Sequence, residues 1–179
     1  MNDFNWINDK LKDLEVYVLP DDIRLYQKYV YPLEKGSKIM DLGTGWGKSV
    51  LAMALSNPGV DIWTIDTSEH PIANNFARDQ FDYIKNIIER FRSYGVFNIY
   101  PILNNVMGIE VPIRYFDVLS VDLHLDMEQQ GLQQWYPSVK HGGIIFARNH
   151  IRYPKLAAEL FKRDTLLDEA GEIRVYKKL

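Results

Sequence analysis

Cysteine is absent from this sequence of 179 residues. Its absence excludes disulfide frameworks, thiolate metal sites, iron–sulfur clusters and cysteine nucleophiles. Long apolar runs are missing as well: the longest is Val50–Leu55, whereas a membrane span requires ~20 residues. The first residues are acidic and contain no apolar segment of the kind found in secretory signals. We therefore expect a soluble, cytoplasmic protein without a membrane partner.

An excess of positive charge is also lacking. Lys and Arg number 21 against 24 Asp and Glu, which gives a net charge of −3, and no basic block occurs. This balance counts against binding to a nucleic-acid backbone, although a local basic groove stays open. The 46% hydrophobic and 25% charged residues are typical of a folded globular protein. The length fits a single domain, since ~150 residues per domain is usual.

Strand and helix patterns alternate through most of the chain. Short apolar stretches predict strands at Ser37–Leu42, Val60–Ile65, Asn98–Leu103, Phe116–Val121 and Gly142–Ala147. Helical spacing and boundary residues predict helices at Lys48–Ser56, Arg78–Tyr94, Glu128–Tyr136 and Pro154–Phe161. This alternation predicts a doubly wound α/β fold, with a mostly parallel sheet and helices on both faces.

The two ends of the chain depart from the alternation. Residues 1–35 predict two helices interrupted before Pro20, with Asp21 or Asp22 as the cap of the second. Near the other end, Thr165–Asp168 and Glu172–Lys177 flank a glycine turn and predict an antiparallel hairpin. We expect one domain, residues 1–179, with a seven-stranded sheet in residues 36–179.

A glycine-rich turn follows the first predicted strand, in the segment Asp41-Leu42-Gly43-Thr44-Gly45-Trp46-Gly47-Lys48-Ser49. A phosphate-binding P-loop would need glycine at position 42, which is Leu42. A dinucleotide fingerprint would need the pattern G-x-G-x-x-G, but the third glycine comes one residue early. The compact spacing, with an acidic residue before it, resembles the first motif of class I S-adenosylmethionine-dependent methyltransferases.

The resemblance continues through residues 36–179 in the expected order. Asp66 closes the second strand, where these enzymes place an acid that accepts hydrogen bonds from both ribose hydroxyls. Asn104-Asn105 follow the third strand, where the family contacts adenine. The run from Trp135 to Phe146 is similar to the family's approach to its fifth strand. The fold implied by this resemblance is the Rossmann-like methyltransferase fold.

S-adenosylmethionine is the cofactor that the resemblance implies. The cofactor-binding residues it implies are Asp41, Gly43, Thr44, Gly45, Trp46, Gly47, Asp66, Thr67, Asn104, Asn105 and Asp122. Asp41 could instead only bond backbone amides of the glycine turn, and Trp46 could pack beneath the N-terminal helices. The glycines could also form a tight turn in an α/β protein that binds another ligand.

The segment after the fourth strand, Asp122-Leu123-His124-Leu125, separates branches of the family. It lacks the Asp/Asn-Pro-Pro-aromatic tetrapeptide of amino-directed nucleic-acid methyltransferases and is closer to catechol-type O-methyltransferases. In their metal-dependent members, three oxygen ligands bind Mg²⁺ at positions that match Asp122, Asn149 and His150. In this sequence the set of two carboxylates and an amide has become a carboxylate, an amide and an imidazole. Because a carboxylate is lost, we expect a weakened Mg²⁺ site, although these residues could still hold a softer divalent ion. His124, His150 and Asp122 are the candidate catalytic residues, with a histidine as general base in a metal-free alternative.

The expected function is methyl transfer from S-adenosylmethionine to a small-molecule acceptor, with oxygen as the favoured accepting atom. The alternative is a cofactor-binding module or partner subunit without methyl transfer activity of its own. A changed reaction, such as aminopropyl transfer, is also left open. The loop Thr67–Ala77 and the N-terminal segment Tyr17–Pro20 flank the expected cofactor mouth and are candidates for a lid or an acceptor pocket. The N-terminal helices could also provide acceptor choice or homodimer contacts, as in relatives, or only pack on the edge of the sheet.

Overall fold

In this computed structural model, the described residues are 5–14, 18–67, 79–123, 125–148 and 159–179, without the side chains of residues 125 and 126. The helices are α1 (Asn5–Leu11), α2 (Pro20–Val30), α3 (Lys48–Ser56), α4 (Gln80–Ser93) and α5 (Leu125–Trp135). The strands are β1 (Lys38–Leu42), β2 (Asp61–Asp66), β3 (Ile99–Leu103), β4 (Phe116–Val121), β5 (Val139–Arg148), β6 (Thr165–Ala170) and β7 (Ile173–Lys177). Short 3₁₀ turns lie at Val106–Gly108 and Tyr136–Ser138.

All seven strands form one sheet in the order β3-β2-β1-β4-β5-β7-β6. Neighbours among β1 to β5 are parallel, and β7 pairs antiparallel with both β5 and β6. This arrangement confirms the predicted doubly wound, mostly parallel sheet with an antiparallel hairpin at its end. The chain runs outward from β1 in both directions, so the switch point lies between β1 and β4, where α/β sheets open a crevice at their carboxyl ends.

The two faces of the sheet carry separate apolar layers. Alternate residues of the strands point to opposite faces, as Ile39 and Met40 of β1 show by belonging to different buried clusters. Helices α1, α2, α3 and α4 cover the Ile39 face, whereas α5 and Phe161 cover the Met40 face. Within the described ranges, no helix is both long and apolar enough to cross a bilayer.

The predicted start of β5 was wrong. The sequence predicts a turn at His141-Gly142, but β5 begins at Val139 and passes through these residues. Phe116 of β4 pairs with Val139, whereas Val118 pairs with Ile144, so β5 carries an irregular segment in between. Gly142 has a φ of +78°, a conformation that favours glycine. The glycines therefore make a bulge inside the strand instead of ending it.

The predicted cap of α2 was also wrong. Leu19 occupies the N-cap position, and neither Asp21 nor Asp22 does. Asp22 instead lies in the first turn, where its Oδ2 accepts a hydrogen bond from Leu19 N at 2.9 Å. Pro20 fits the first helical position because its missing amide hydrogen would have no partner there. Helix α5 likewise begins at Leu125, three residues before the predicted Glu128.

Leu25 of α2 gives a test of how strongly the N-terminal helices are bound to the sheet. Its side chain is fully buried in the cluster that α2 shares with α3. We expect Leu25→Ala to lower the free energy of unfolding by about 2–5 kcal/mol, because it leaves a cavity. The neighbouring Arg24 is 60% exposed, so Arg24→Ala should change it by less than about 0.5 kcal/mol. Urea unfolding of both variants makes the comparison, and equal effects would contradict it.

Candidate functional site

The predicted cofactor residues converge at the carboxyl ends of β1, β2 and β4. Three backbone hydrogen bonds join the chain segments there: Gly43 N to Ile65 O at 2.9 Å, Asp122 N to Leu42 O at 2.9 Å and Asn104 N to Asp66 O at 3.0 Å. The glycine loop, the end of β2, the segment after β3 and the segment after β4 are therefore neighbours. This edge coincides with the switch point of the sheet, the usual ligand crevice of such folds.

Gly43 allows the loop to lie directly against the end of β4. Its φ is +97°, and a Cβ placed on it would overlap the carbonyl oxygen of Asp122. Only a residue without a side chain fits between these two backbone segments. The close contact explains in physical terms why glycine follows β1 immediately.

Asp66 holds the centre of the glycine loop. Its Oδ2 accepts a hydrogen bond from Gly45 N at 2.8 Å, and the Tyr83 hydroxyl donates to Gly45 O at 2.9 Å. Asp66 lies half-buried at the end of β2. Asp66, the candidate ribose ligand, is thus hydrogen-bonded directly to the glycine loop. Tyr83, from α4, is a member of this group that the sequence reasoning did not identify.

A chain of hydroxyl groups joins the glycine loop to the buried Asp41. The Thr64 hydroxyl donates to Asp41 Oδ2 at 2.7 Å, and the Thr44 and Thr64 oxygens lie 2.6 Å apart. Because Thr64 gives its single hydroxyl proton to Asp41, Thr44 is the donor to Thr64. The Thr44 side chain therefore points into this network. The backbone amide of Gly45 in the turn donates to Asp66, whereas Asp41 accepts from the hydroxyl group of Thr64. These contacts do not support the alternative in which Asp41 only bonds the backbone amides of the turn.

Asp41 is a fully buried carboxyl group with an unusual pKa. Burial raises this pKa from 3.8 to about 7, the hydrogen bond from Thr64 lowers it, and the nearby carboxylates of Asp122 and Asp66 raise it further. The charged form is disfavoured because water is excluded around it. A positive charge bound at this edge of the sheet would stabilise the ionised form.

Trp46 packs against α4. The Arg90 guanidinium lies 4.8 Å from the centre of the Trp46 ring, and Arg90 Nη1 donates to Trp46 O at 3.0 Å. This cation–π contact fixes the far side of the glycine loop. Arg90, like Tyr83, is a residue of this group that the sequence pattern did not identify.

Asn104 and Asn105 lie exposed beyond β3, beside the end of β2. Asn104 Oδ1 accepts from Asn105 N at 2.7 Å, and Asn105 Oδ1 accepts from Met107 N at 2.9 Å. Both side chains thereby shape the turn that carries them. Thr67, the remaining candidate here, lies half-buried directly after Asp66.

Asp122 is paired with a buried arginine. Arg148 Nη1 donates to Asp122 Oδ2 at 3.2 Å, and Arg148 is only 2% exposed. The sequence signal for this residue is a single charge at the end of the otherwise apolar stretch Gly142–Ala147. That signal shows that the charge needs a partner but does not identify it.

The other candidate catalytic and metal residues, His124, Asn149 and His150, lie outside the described residues. Their grouping with Asp122 stays a prediction. Among the residues that the structure does describe, no group of three His, Asp or Glu side chains is arranged to hold a metal ion.

Comparison with known proteins gives structural likeness and no family assignment. No family model matches the sequence. A provisionally assigned caffeoyl-CoA O-methyltransferase from Staphylococcus aureus is similar with a TM-score of 0.70 and 14% identity, over 99% of this chain and 93% of that one. An rRNA methylase from Streptococcus thermophilus is similar with a TM-score of 0.61 and 13% identity, over 88% of this chain and 96% of that one. The TYW2 protein of M. jannaschii, in complex with AdoMet, is similar with a TM-score of 0.56 and 14% identity, over 92% of this chain and 80% of that one.

These likenesses establish the fold. The chain spans only 48% and 54% of two further similar chains, so it corresponds to about half of some larger proteins. The identities are low, and they carry no acceptor or partner over to this chain. The protein has the Rossmann-like methyltransferase fold, with a seven-stranded sheet and an antiparallel terminal hairpin, as its sequence predicts.

Asp41 makes the stability of the protein depend on pH in a predictable direction. Because burial raises the pKa of Asp41 from its ordinary value of 3.8 to about 7 in the folded protein, its contribution to stability is most favourable at low pH and is lost as pH rises through 7. Asp41→Asn removes this dependence. We expect the stability of Asp41→Asn relative to the natural protein to increase from pH 5 to pH 8, by on the order of 2 kcal/mol. Urea unfolding at both pH values measures it, and a difference that does not change with pH would contradict the assignment.

Gly43 provides a steric test of the site. We expect Gly43→Ala to cost more than about 3 kcal/mol, since the added Cβ would overlap the Asp122 backbone, which cannot rotate away. Gly45→Ala is the matched control in the same loop, because nothing lies within 4 Å of the Cβ position. Its cost should stay near 1–2 kcal/mol, roughly that of a left-handed conformation for alanine. Thermal or urea unfolding compares the two, and equal losses would show that the close approach is unimportant.

Proposed function

We propose that the protein is an S-adenosylmethionine-dependent methyltransferase that acts on a small-molecule acceptor, with oxygen as the accepting atom. The observation that carries the proposal is the hydrogen bond between Asp66 Oδ2 and Gly45 N at the switch point of the sheet. It joins the glycine loop and the acidic strand end, the two features on which the sequence resemblance depends most. The fold of the similar methyltransferases supports it.

The residues at this edge fit the proposed cofactor. The loop of Gly43–Gly47 offers backbone amides at the start of α3, and Asp66 offers a carboxylate for hydroxyl groups. The exposed pair Asn104 and Asn105 lies on the side of Asp66, where the family contacts adenine. When bound, S-adenosylmethionine supplies a methyl group on a positively charged sulfur. A cationic ligand at the same edge would stabilise the ionised form of Asp41, whose pKa burial raises to about 7.

The protein groups have two tasks in such a reaction. The first is positioning, since an in-line displacement is accelerated mainly by holding the reacting atoms in register. The second is removal of a proton when the acceptor is a hydroxyl group, and we propose His124 or His150 for it because imidazole has a pKa of about 6.5. Asp122 is not the favoured base, because its carboxylate is paired with Arg148.

A small-molecule acceptor is proposed because of the acidic balance of the chain and the absence of a proline tetrapeptide after Asp122. RNA is the competing acceptor class, since an rRNA methylase is among the similar structures. Incubation with S-adenosylmethionine carrying a labelled methyl group separates the two. Label should enter members of a panel of small hydroxylated compounds and should not enter transfer or ribosomal RNA.

A cofactor-binding subunit without its own methyl transfer is the second candidate. It is favoured by the pairing of Asp122 with Arg148. Asp122 was expected from the sequence to be a catalytic residue, and its carboxylate is instead engaged by the guanidinium of Arg148. Cofactor binding without turnover on any acceptor, together with a partner protein that copurifies, would support this candidate. Size-exclusion chromatography of the same sample would test the predicted homodimer.

Calorimetric titration with S-adenosylhomocysteine tests the cofactor site directly. We expect binding by the natural protein and at least tenfold weaker binding by Asp66→Ala, since hydrogen bonds to a charged group contribute about 1.5–3 kcal/mol each. Asp61→Ala is the matched control, because Asp61 lies at the opposite end of β2 and bonds the exposed Tyr100. Asp61→Ala should bind normally. No binding by the natural protein would refute the proposed function, and an unchanged affinity in Asp66→Ala would refute the assigned site.

A further inference from the structure

The buried guanidinium of Arg148 contacts three carboxylates. Nη1 lies 3.2 Å from Asp122 Oδ2, Nη2 lies 3.4 Å from Asp22 Oδ2, and Nε lies 3.4 Å from Glu172 Oε2. Each of the three nitrogens thus faces a different acidic side chain. We call these four residues the Arg148 cluster.

The carboxylates of the Arg148 cluster come from three separate parts of the fold. Asp22 lies in the first turn of α2 and is fully buried. Asp122 follows β4 at the edge that carries the glycine loop, and Glu172 lies in the turn between β6 and β7. Arg148 itself ends β5 and pairs with Ile173 of β7. The cluster therefore fixes α2 and the terminal hairpin to the edge of the sheet where the proposed reaction takes place.

The charge of Arg148 is permanent. Guanidinium keeps its proton under all conditions in which proteins fold, so burial cannot neutralise it. Removing such a charge from water is expensive unless opposite charges replace the lost hydration. Three carboxylates do so here, and they also become dependent on Arg148, because without it they would repel one another.

A divalent metal ion does not fit beside Asp122 in this arrangement. Asp122 is the one described member of the predicted metal set, and its Oδ2 already accepts a hydrogen bond from Arg148. A metal ion there would lie close to a fixed positive charge and would compete with it for the same oxygen. Mg²⁺ prefers hard oxygen ligands, and Arg148 contacts Oδ2, one of the two oxygens that the Asp122 carboxylate offers. A divalent ion bound at the other oxygen would still lie close to the fixed charge of the guanidinium.

We propose that Arg148 supplies, as part of the protein, the positive charge that a divalent ion supplies at this position in metal-dependent relatives. Arg148 is then a positioning residue, which holds Asp122 at the strand end, and the site binds no divalent metal. The role of Arg148 in methyl transfer rests on the proposed function. The proposal that Arg148 takes the place of a divalent ion beside Asp122 does not depend on that function.

Mn²⁺ titration followed by electron paramagnetic resonance tests this proposal, because the signal of free Mn²⁺ is lost when the ion binds. We expect no binding by the natural protein at concentrations up to about 1 mM, the weak end of protein sites for divalent ions. Arg148→Met removes the positive charge beside Asp122 at similar side-chain length, so the variant should bind Mn²⁺ at least about tenfold more tightly, because the repulsion between the guanidinium and the ion is lost. Arg148→Lys keeps the charge and should resemble the natural protein.

Two outcomes would overturn the proposal. One is Mn²⁺ binding by the natural protein that is lost in Asp122→Asn. The other is a folded Arg148→Met variant that gains no affinity for Mn²⁺. Should Arg148→Met fail to fold by circular dichroism, the natural protein and Asp122→Asn decide the question, and absence of Asp122-dependent binding supports the proposal.

The same samples separate this proposal from the proposed function. S-adenosylhomocysteine binding is measured with EDTA and with added Mn²⁺. Affinity that is the same in both conditions supports the proposal, and affinity that requires Mn²⁺ overturns it. Absence of S-adenosylhomocysteine binding in every condition refutes the methyltransferase assignment, and the Mn²⁺ titration of the free protein still tests the role of Arg148.

Discussion

The parallel pairing of β1 with β2 on one side and with β4 on the other is the constraint on which the site depends. Because the strand order reverses at β1, a crevice opens beside the carboxyl end of this central strand. The glycine loop fills that place and is held from three sides, by Asp66, by the backbone of Asp122 and by Arg90. A ligand that enters the crevice therefore meets a loop whose shape the sheet has already set.

Two buried charges organise the layers around this edge in different ways. Asp41 lies beneath the loop, linked through Thr64 to Thr44, and its environment favours the neutral form at moderate pH. Arg148 remains charged and draws carboxylates from distant parts of the chain. The first group can respond to the charge of a ligand, whereas the second maintains a fixed electrostatic framework.

Local signals in the sequence were sufficient for most of the fold. The bounds of α3 and β4 agree with the prediction, because glycines precede α3 and an uninterrupted apolar run forms β4. The start of β5 could not be predicted in this way, since a glycine pair is a turn signal in isolation and becomes a bulge only against its neighbour β4. The partners of Arg148 could not be predicted for a similar reason. The sequence shows a single charged residue directly after an apolar stretch, but the carboxylates that contact it are distant in sequence and are brought together only by the sheet. The loop and Asp66 were predictable because they are fixed by spacing along neighbouring strands.

The position of Asp22 has a consequence for how such a protein can change in evolution. The N-terminal helices were expected from the sequence to be the part left over for acceptor choice. Here the fully buried carboxylate of Asp22 in α2 contacts Arg148 of β5, and Arg148 also contacts Glu172 of the terminal hairpin. A replacement helix would have to bring an acid to the same place, or leave a guanidinium short of a partner. Changes in this part of the chain are therefore more accessible by substitutions on the outer surface of α2 than by replacement of the helix as a module.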